Sequence, residues 1–412
     1  MISSTLPCRS CGVAGLQSVL DLGSTPLANS LLRKEQLAQP EARFPLHLAF
    51  CSQCSLVQIT ESVPPEAMFR EYLYFSSFSD TMLKHAQAIS GRLMNAQKLG
   101  ANSLVVEVAS NDGYLLQYYK KGGIPVLGIE PATNIAKIAE KERGIPTVCE
   151  FFGVELAEKL RAEGKAADVI HANNVLAHVP DLNGFVEGFR ILLKNQGIVV
   201  IEAPYVKDMI DHCEFDTIYH EHLCYFSLTA LNRLFQRHGL AIYDVERLSI
   251  HGGSIRIFAM PQSAGRTITP AVTSLLEEES AWGVDQFQFY RSFASRVEKL
   301  REQLLELLTK LKREQKRIAI YGASAKGSTL LNYFGIDSKV IDFVADRSTV
   351  KQGLYTPGSH LPICTPQRLL DDQPDYVLLL TWNFKDEILA QQTEYRIRGG
   401  KFIIPIPEVQ VV

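Results

Sequence analysis

Tyr219-His220-Glu221-His222 gathers phenol, imidazole and carboxyl side chains, all able to move or polarise a proton, into one short run. It lies downstream of an apolar, strand-like segment, Ile198-Val199-Val200-Ile201, that ends in Glu202-Ala203-Pro204. In open α/β sheets, side chains beyond the carboxyl end of a strand face the crevice where ligands bind. The run therefore reads as a catalytic base with neighbours. A metal site is the weaker reading, because zinc proteases space their histidines as H-E-x-x-H on one helix face and this run does not. The plain alternative is a surface histidine and a structural histidine beside a loop.

The elements that must position such a base follow from hydrophobic patterning. Leu104-Val105-Val106-Glu107-Val108 reads as a buried strand, Ala109 to Gly113 as a tight turn, and the residues from Tyr114 as a helix start. A second strand ends in Glu130, an acid placed to take the hydroxyls of a ribose. Strand-like runs at Ala167 to Asn174 and Gly197 to Ala203, with helical stretches between, give the alternation of a parallel sheet. Residues 241–246 and 251–258 read as a closing pair of strands. Of a three-glycine dinucleotide fingerprint only Gly113 is present, so close approach of a phosphate is hindered. A ligand carrying an amino acid and a ribose suits this turn better, which favours a methyltransferase using S-adenosylmethionine over a dehydrogenase.

Two further units flank this one. Cys8-Arg9-Ser10-Cys11 and Cys51-Ser52-Gln53-Cys54 are paired C-x-x-C turns, the ligand pattern of a four-thiolate zinc site. Such a site has no open coordination position, so its zinc is structural. Near the other end, Lys316 to Tyr321 feeds Gly322-Ala323-Ser324-Ala325-Lys326-Gly327 and then a helix, with Asp346 closing the next strand. This is one substitution from G-x-G-x-x-G and a near miss to a P-loop, and backbone N–H groups at a helix start plus one lysine still suit a pyrophosphate. Between the folds, Phe293, Val297, Leu300, Leu304, Leu308 and Leu311 step by three and four, which predicts an amphipathic linker helix. The expected fold class is α/β: a small zinc-binding domain (1–68), a central class I methyltransferase Rossmann-like domain (69–262), a helical linker (263–315) and a C-terminal Rossmann-like domain (316–412).

These runs, taken in order, resemble the nucleotide-sugar C-methyltransferases of deoxysugar pathways. The resemblance rests on the cysteine pairs, Tyr72-Leu73-Tyr74-Phe75-Ser76-Ser77, Glu107 to Gly113, His178-Val179-Pro180, Glu214 to His222, His251-Gly252-Gly253-Ser254 and Gly322 to Gly327. It implies C-methylation of a nucleotide-linked 4-keto-6-deoxy sugar, with a base forming an enolate beside the ketone. His222 would be that base. Tyr219 would donate to the enolate oxygen, Glu221 would orient the sugar or His222, and His178 and Tyr74 (or Tyr72) would complete the surroundings. For the donor, Glu107, Asn111, Asp112 and Gly113 form the first turn, Glu130 takes the ribose, Phe151 and Phe152 flank the adenine, and Asn173 and Asn174 close the pocket. For the substrate, Ser324, Lys326 and Gly327 would meet phosphates, Asp346 or Lys351 the nucleoside, and His251 a ligand beside its glycine turn. Aromatic packing is the plain reading of Tyr72, Tyr74, Phe75, Phe151 and Phe152.

The totals narrow the classes further. The chain has 412 residues, long enough for two or three domains, and 42 basic against 45 acidic residues give a formal charge of −3. No basic block supports a nucleic-acid partner, which argues against a zinc-containing RNA methyltransferase. A non-catalytic sugar-nucleotide-binding protein would have no need of the tyrosine–glutamate–histidine cluster. No signal peptide or membrane span is expected, and the eight cysteines form no disulfide framework, so a cytoplasmic setting fits. The sequence leaves open the quaternary state, with a monomer compatible, and the ring carbon attacked, C3 or C5.

Overall fold

A computed structural model describes residues 5–69 and 75–412. Tyr72 and Tyr74 lie outside the described residues, as does the side chain of His251. Three sheets organise the described residues. The first is antiparallel, with Gln17–Thr25, Phe44–Phe50 and Val57–Ile59 side by side. Its last strand is Cys224–Tyr225, which pairs with Val57–Ile59 although it is some 170 residues later in the chain. The zinc-type unit is thus completed by the chain segment that directly follows His222.

The second sheet has seven strands. Val105–Val108 is central, flanked by Val126–Ile129 and then Thr147–Val148 on one side. On the other side come Ala167–Asn173 and Leu193–Pro204, all parallel. Ser254–Pro261 then inserts antiparallel between Leu193–Pro204 and Leu240–Leu248. Strand order reverses at Val105–Val108, so its carboxyl end is a switch point at which the flanking helices leave a crevice. Buried aliphatic residues on every central strand exclude water from both faces, as parallel sheets require.

The third sheet is parallel around Ile318–Tyr321, with Val344–Ala345 on one side and Tyr376–Leu379 on the other, and the antiparallel Gln410–Val411 at its edge. The linker helix runs Phe293–Arg313 and buries Phe293, Val297, Leu300, Leu304, Leu308 and Leu311, the stripe the sequence spacing predicts. A preceding helix, Pro270–Trp282, is anchored by buried Glu279, which accepts hydrogen bonds from the backbones of Leu228 and Thr229 and from the Tyr205 hydroxyl. The linker therefore packs onto the central unit.

Candidate active site

The run 214–225 touches all three units, and its side chains diverge. Leu223 N donates to Ala177 O at 2.7 Å, which draws the run against the loop beyond Ala167–Asn173. His220 is buried, turned to the first sheet, with Nε2 at 3.1 Å from Pro45 O and its ring edge-on to Phe44. Burial lowers its pKa, so it is a neutral structural imidazole. Glu221 is also buried and accepts from Asn29 Nδ2 at 2.6 Å. Asp216 accepts from Trp382 Nε1 at 2.7 Å, and Thr329 Oγ1 donates to Ile218 O at 3.0 Å, tying the run to the C-terminal unit.

Tyr219 and His222, by contrast, are only partly buried and face each other, with ring centroids 4.1 Å apart. His222 Nδ1 lies 2.9 Å from Thr217 O, a carbonyl that can only accept, so Nδ1 carries the proton. Its Nε2 then presents a lone pair, which receives the Tyr219 hydroxyl at 2.8 Å. The His178 ring meets His222 edge-on at 4.8 Å. Burial pushes His178 down to about 4, against the opposing pull of the Glu221 and Asn174 backbones that its ring engages. A neutral His178 adds no positive charge beside His222. Chemically, this is an imidazole whose tautomer is fixed by Thr217 O, with a phenol hydroxyl on its other nitrogen.

The turn after Val105–Val108 is dense in polar groups. Ala109 and Asn111 both take left-handed backbone (φ 54° and 48°), each costing about 1–3 kcal/mol for a non-glycine residue. The neighbours hold that conformation. Glu130 accepts from the backbone N–H of Asn111 and of Ala132, both at 2.9 Å. Ser76 N donates to Asn111 Oδ1 at 2.9 Å, and the Ser77 hydroxyl donates to Asp112. Burial raises Glu130 to about 7 and puts Glu107 well above the usual carboxylate range, with the Asp112 charge adding to the latter. Among the described residues, Glu107 Oε2, Asp112 Oδ1, Ser110 Oγ and Asn173 Oδ1 are buried with no partner. Buried polar atoms without partners on residues at the carboxyl ends of adjacent strands are of the type that the amino-acid and ribose groups of S-adenosylmethionine would take.

Other expected site residues have defined neighbours. Gly113 takes left-handed backbone (φ 78°), and a Cβ there would strike Ile145 Cγ1 at 2.8 Å, so the turn needs glycine at this position. Phe152 packs on Phe185 and Phe189, with ring centroids 5.4 Å apart in each case, and Phe151 and Phe152 are both partly exposed. Asn174 takes left-handed backbone, and its N–H donates to Glu202 O. In the C-terminal turn, Ser324 Oγ caps the helix Ala325–Phe334 by accepting from Gly327 N, and a Cβ on Gly327 would meet Leu380 at 2.6 Å. Asp346 accepts from Ala323 N, and Lys351 Nζ donates to Ala323 O at 2.8 Å, so both brace the turn. Lys326 lies 4.6 Å over the Trp382 ring, beside Glu214 and Asp216, on the side facing the 214–222 run.

Sequence reasoning missed Asn29, Ser76, Ser77 and Asp216. The serines follow Phe75 in a run whose aromatic rings are the stronger signal. Asn29 carries no signal beyond its place in Pro26-Leu27-Ala28-Asn29, because its role depends on a contact 192 residues away.

The metal site is compact. Cys8 and Cys54 sulfurs are 3.5 Å apart, Cys11 and Cys51 3.6 Å, and all four lie within 4.8 Å of one another. A tetrahedron with Zn–S bonds of about 2.3 Å has edges of about 3.8 Å, so the four sulfurs fit zinc and leave no open position.

Three family models match in chain order: a zinc binding domain over residues 8–69, a methyltransferase domain over 82–245 and a C-methyltransferase C-terminal domain over 249–407. The C-methyltransferase NovU of Streptomyces niveus is 37% identical over 405 residues, covering 98% of this chain and 96% of that protein. Among solved structures, magnesium protoporphyrin IX methyltransferase ChlM from Synechocystis with bound SAH aligns at TM-score 0.35 and 14% identity, over 43% of this chain and 82% of that one. An S-adenosylmethionine-dependent methyltransferase from Clostridium acetobutylicum aligns at TM-score 0.35 and 10% identity, over 43% and 91%.

Proposed function

The chain belongs to the C-methyltransferase family that includes NovU, and from that premise we propose that it methylates a carbon of a nucleotide-linked 4-keto-6-deoxy sugar. The observation that carries the reading is the Tyr219–His222 pair, with His222 Nδ1 fixed on Thr217 O and Nε2 left as the basic atom. Carbon beside a ketone is acidified enough for an imidazole to deprotonate, whereas an unactivated sugar carbon is not. Tyr219 turns its hydroxyl proton from Nε2 to the ketone oxygen as substrate enters. That single movement frees the base and stabilises the enolate. The proton leaves the ring carbon for His222 Nε2, while the electron pair spreads onto the oxygen held by Tyr219. A positioned base contributes about 10²–10⁴ in rate, and an oxyanion donor about 10²–10³.

S-adenosylmethionine, when bound, supplies an electrophilic methyl group. Glu107, Asp112, Glu130 and Asn173 are the residues that would hold it, since their orphaned or backbone-anchored oxygens line the switch point. The sugar's diphosphate would lie toward Ser324 and Lys326, whose helix start borders the same run through Thr329. The test is incubation of the purified protein with S-adenosylmethionine and a panel of sugar nucleotides, read by mass spectrometry. One added methyl on a 4-keto-6-deoxy member, and none on its 4-hydroxy counterpart, is expected. Methylation of the 4-hydroxy sugar, or of no member, refutes the reading.

A further inference from the structure

Between Pro26 and Glu41 the zinc-stapled unit sends a strap across the other two. Leu32 and Tyr355 exchange backbone hydrogen bonds at 2.9 and 2.8 Å. Glu41 accepts from Gly358 N and pairs with His360 at 2.5 Å. Near the start of this strap, Asn29 Nδ2 donates to Glu221 Oε1 at 2.6 Å. Only the amide nitrogen can face a carboxylate, so the contact also fixes which way the Asn29 amide is turned. Glu221 is 6% exposed, its neighbour His222 bears the base, and its backbone engages the His178 ring.

We infer that Asn29 is a positioning residue of the reaction: its amide fixes the Glu221 carboxylate beside the Tyr219–His222 pair, so the zinc unit supplies part of the active site. This rests on the function proposed above. A buried carboxylate with no donor protonates or turns toward water. Burial raises Glu221 to about 7, against the opposing effects of Asn29 and then Lys351. The other titratable groups around it are His178, Tyr219, His220 and His222. Without Asn29, Glu221 would stay protonated to higher pH, and its carboxylate would lose its fixed direction.

Two readouts on the full-length zinc protein test this. In ligand-free protein labelled with ¹³C at glutamate carboxyls, Glu221→Gln identifies the Glu221 resonance. Asn29→Ala should raise its midpoint by about 0.5–1 pH unit, the size of one lost hydrogen bond, and Asn29→Asp should raise it further. In methyl transfer, the acidic limb of kcat/KM should move up by the same amount, with the rate recovering at high pH, and Asn29→Ala should have no effect in a Glu221→Gln background. An unmoved midpoint, or a rate lowered equally at all pH values, overturns the inference. A shifted resonance in a protein that methylates no sugar supports the Asn29–Glu221 linkage and refutes the sugar reading instead.

Discussion

Replacing His222 by Asn separates catalysis from architecture. The asparagine amide nitrogen sits close to where Nδ1 sits, so it can keep the 2.9 Å bond to Thr217 O. Nothing then occupies the place of Nε2, and the 2.8 Å bond from Tyr219 is lost. That bond is only partly buried, so its removal should cost about 0.5–1.5 kcal/mol of stability. Losing the base should slow proton abstraction by about 10²–10⁴, or about 2.7–5.4 kcal/mol in the barrier. The two effects are well separated. Wild-type protein in deuterium oxide, given a nucleotide-linked 4-keto-6-deoxy sugar and no methyl donor, should wash deuterium into a ring position, visible as one added mass unit. The variant should bind the sugar and fail to exchange. Exchange within about tenfold of wild type would remove His222 as the base. If exchange ceases and sugar binding fails with it, the residue is a binding group and the mechanism is wrong.

Other consequences are quantitative. Chelation of the zinc should expose four thiols to a thiol reagent and abolish methyl transfer, because Cys224–Tyr225 is a strand of the zinc unit's sheet and only Leu223 separates it from His222; retained activity in metal-free protein would contradict the coupling. Trp382→Phe strips Asp216 Oδ2 of its buried donor while Oδ1 already has none, so denaturant unfolding should show a loss of about 2–3 kcal/mol. Burial raises Glu130 and Glu221 to about 7 and Glu214 to about 8. The folded state therefore holds protons that the unfolded state releases near pH 4.5, and stability from these groups is full below that pH and falls as pH rises toward 8. The melting temperature should decline across that window in protein without ligands, and Glu214→Gln should flatten the decline.

Much of this protein was legible along the chain because its determinants are local. Cysteine spacing carried the zinc site, since a C-x-x-C turn already aims two sulfurs at one point. Period-3.6 apolar spacing carried the helix Phe293–Arg313 residue by residue. Alternation of apolar runs with helices carried the central sheet.

What the sequence could not assign was which neighbour each polar side chain would meet. In Tyr219-His220-Glu221-His222, four consecutive residues take different partners: Tyr219 and His222 pair with each other, His220 with Pro45 and Glu221 with Asn29. That division depends on where residues 29 and 45 lie in space, and no spacing rule reaches across such separations. Asp346 and Lys351 likewise meet a neighbour that no spacing rule names, bracing the Ala323 turn from its N–H and its carbonyl. Sequence alone determined which elements form and which chemistry is on hand, because propensity, turn geometry and ligand spacing act over a few residues. Only the tertiary structure decided which groups face the crevice and which are consumed in building it, because hydrogen bonds and burial are set by the packing of distant segments.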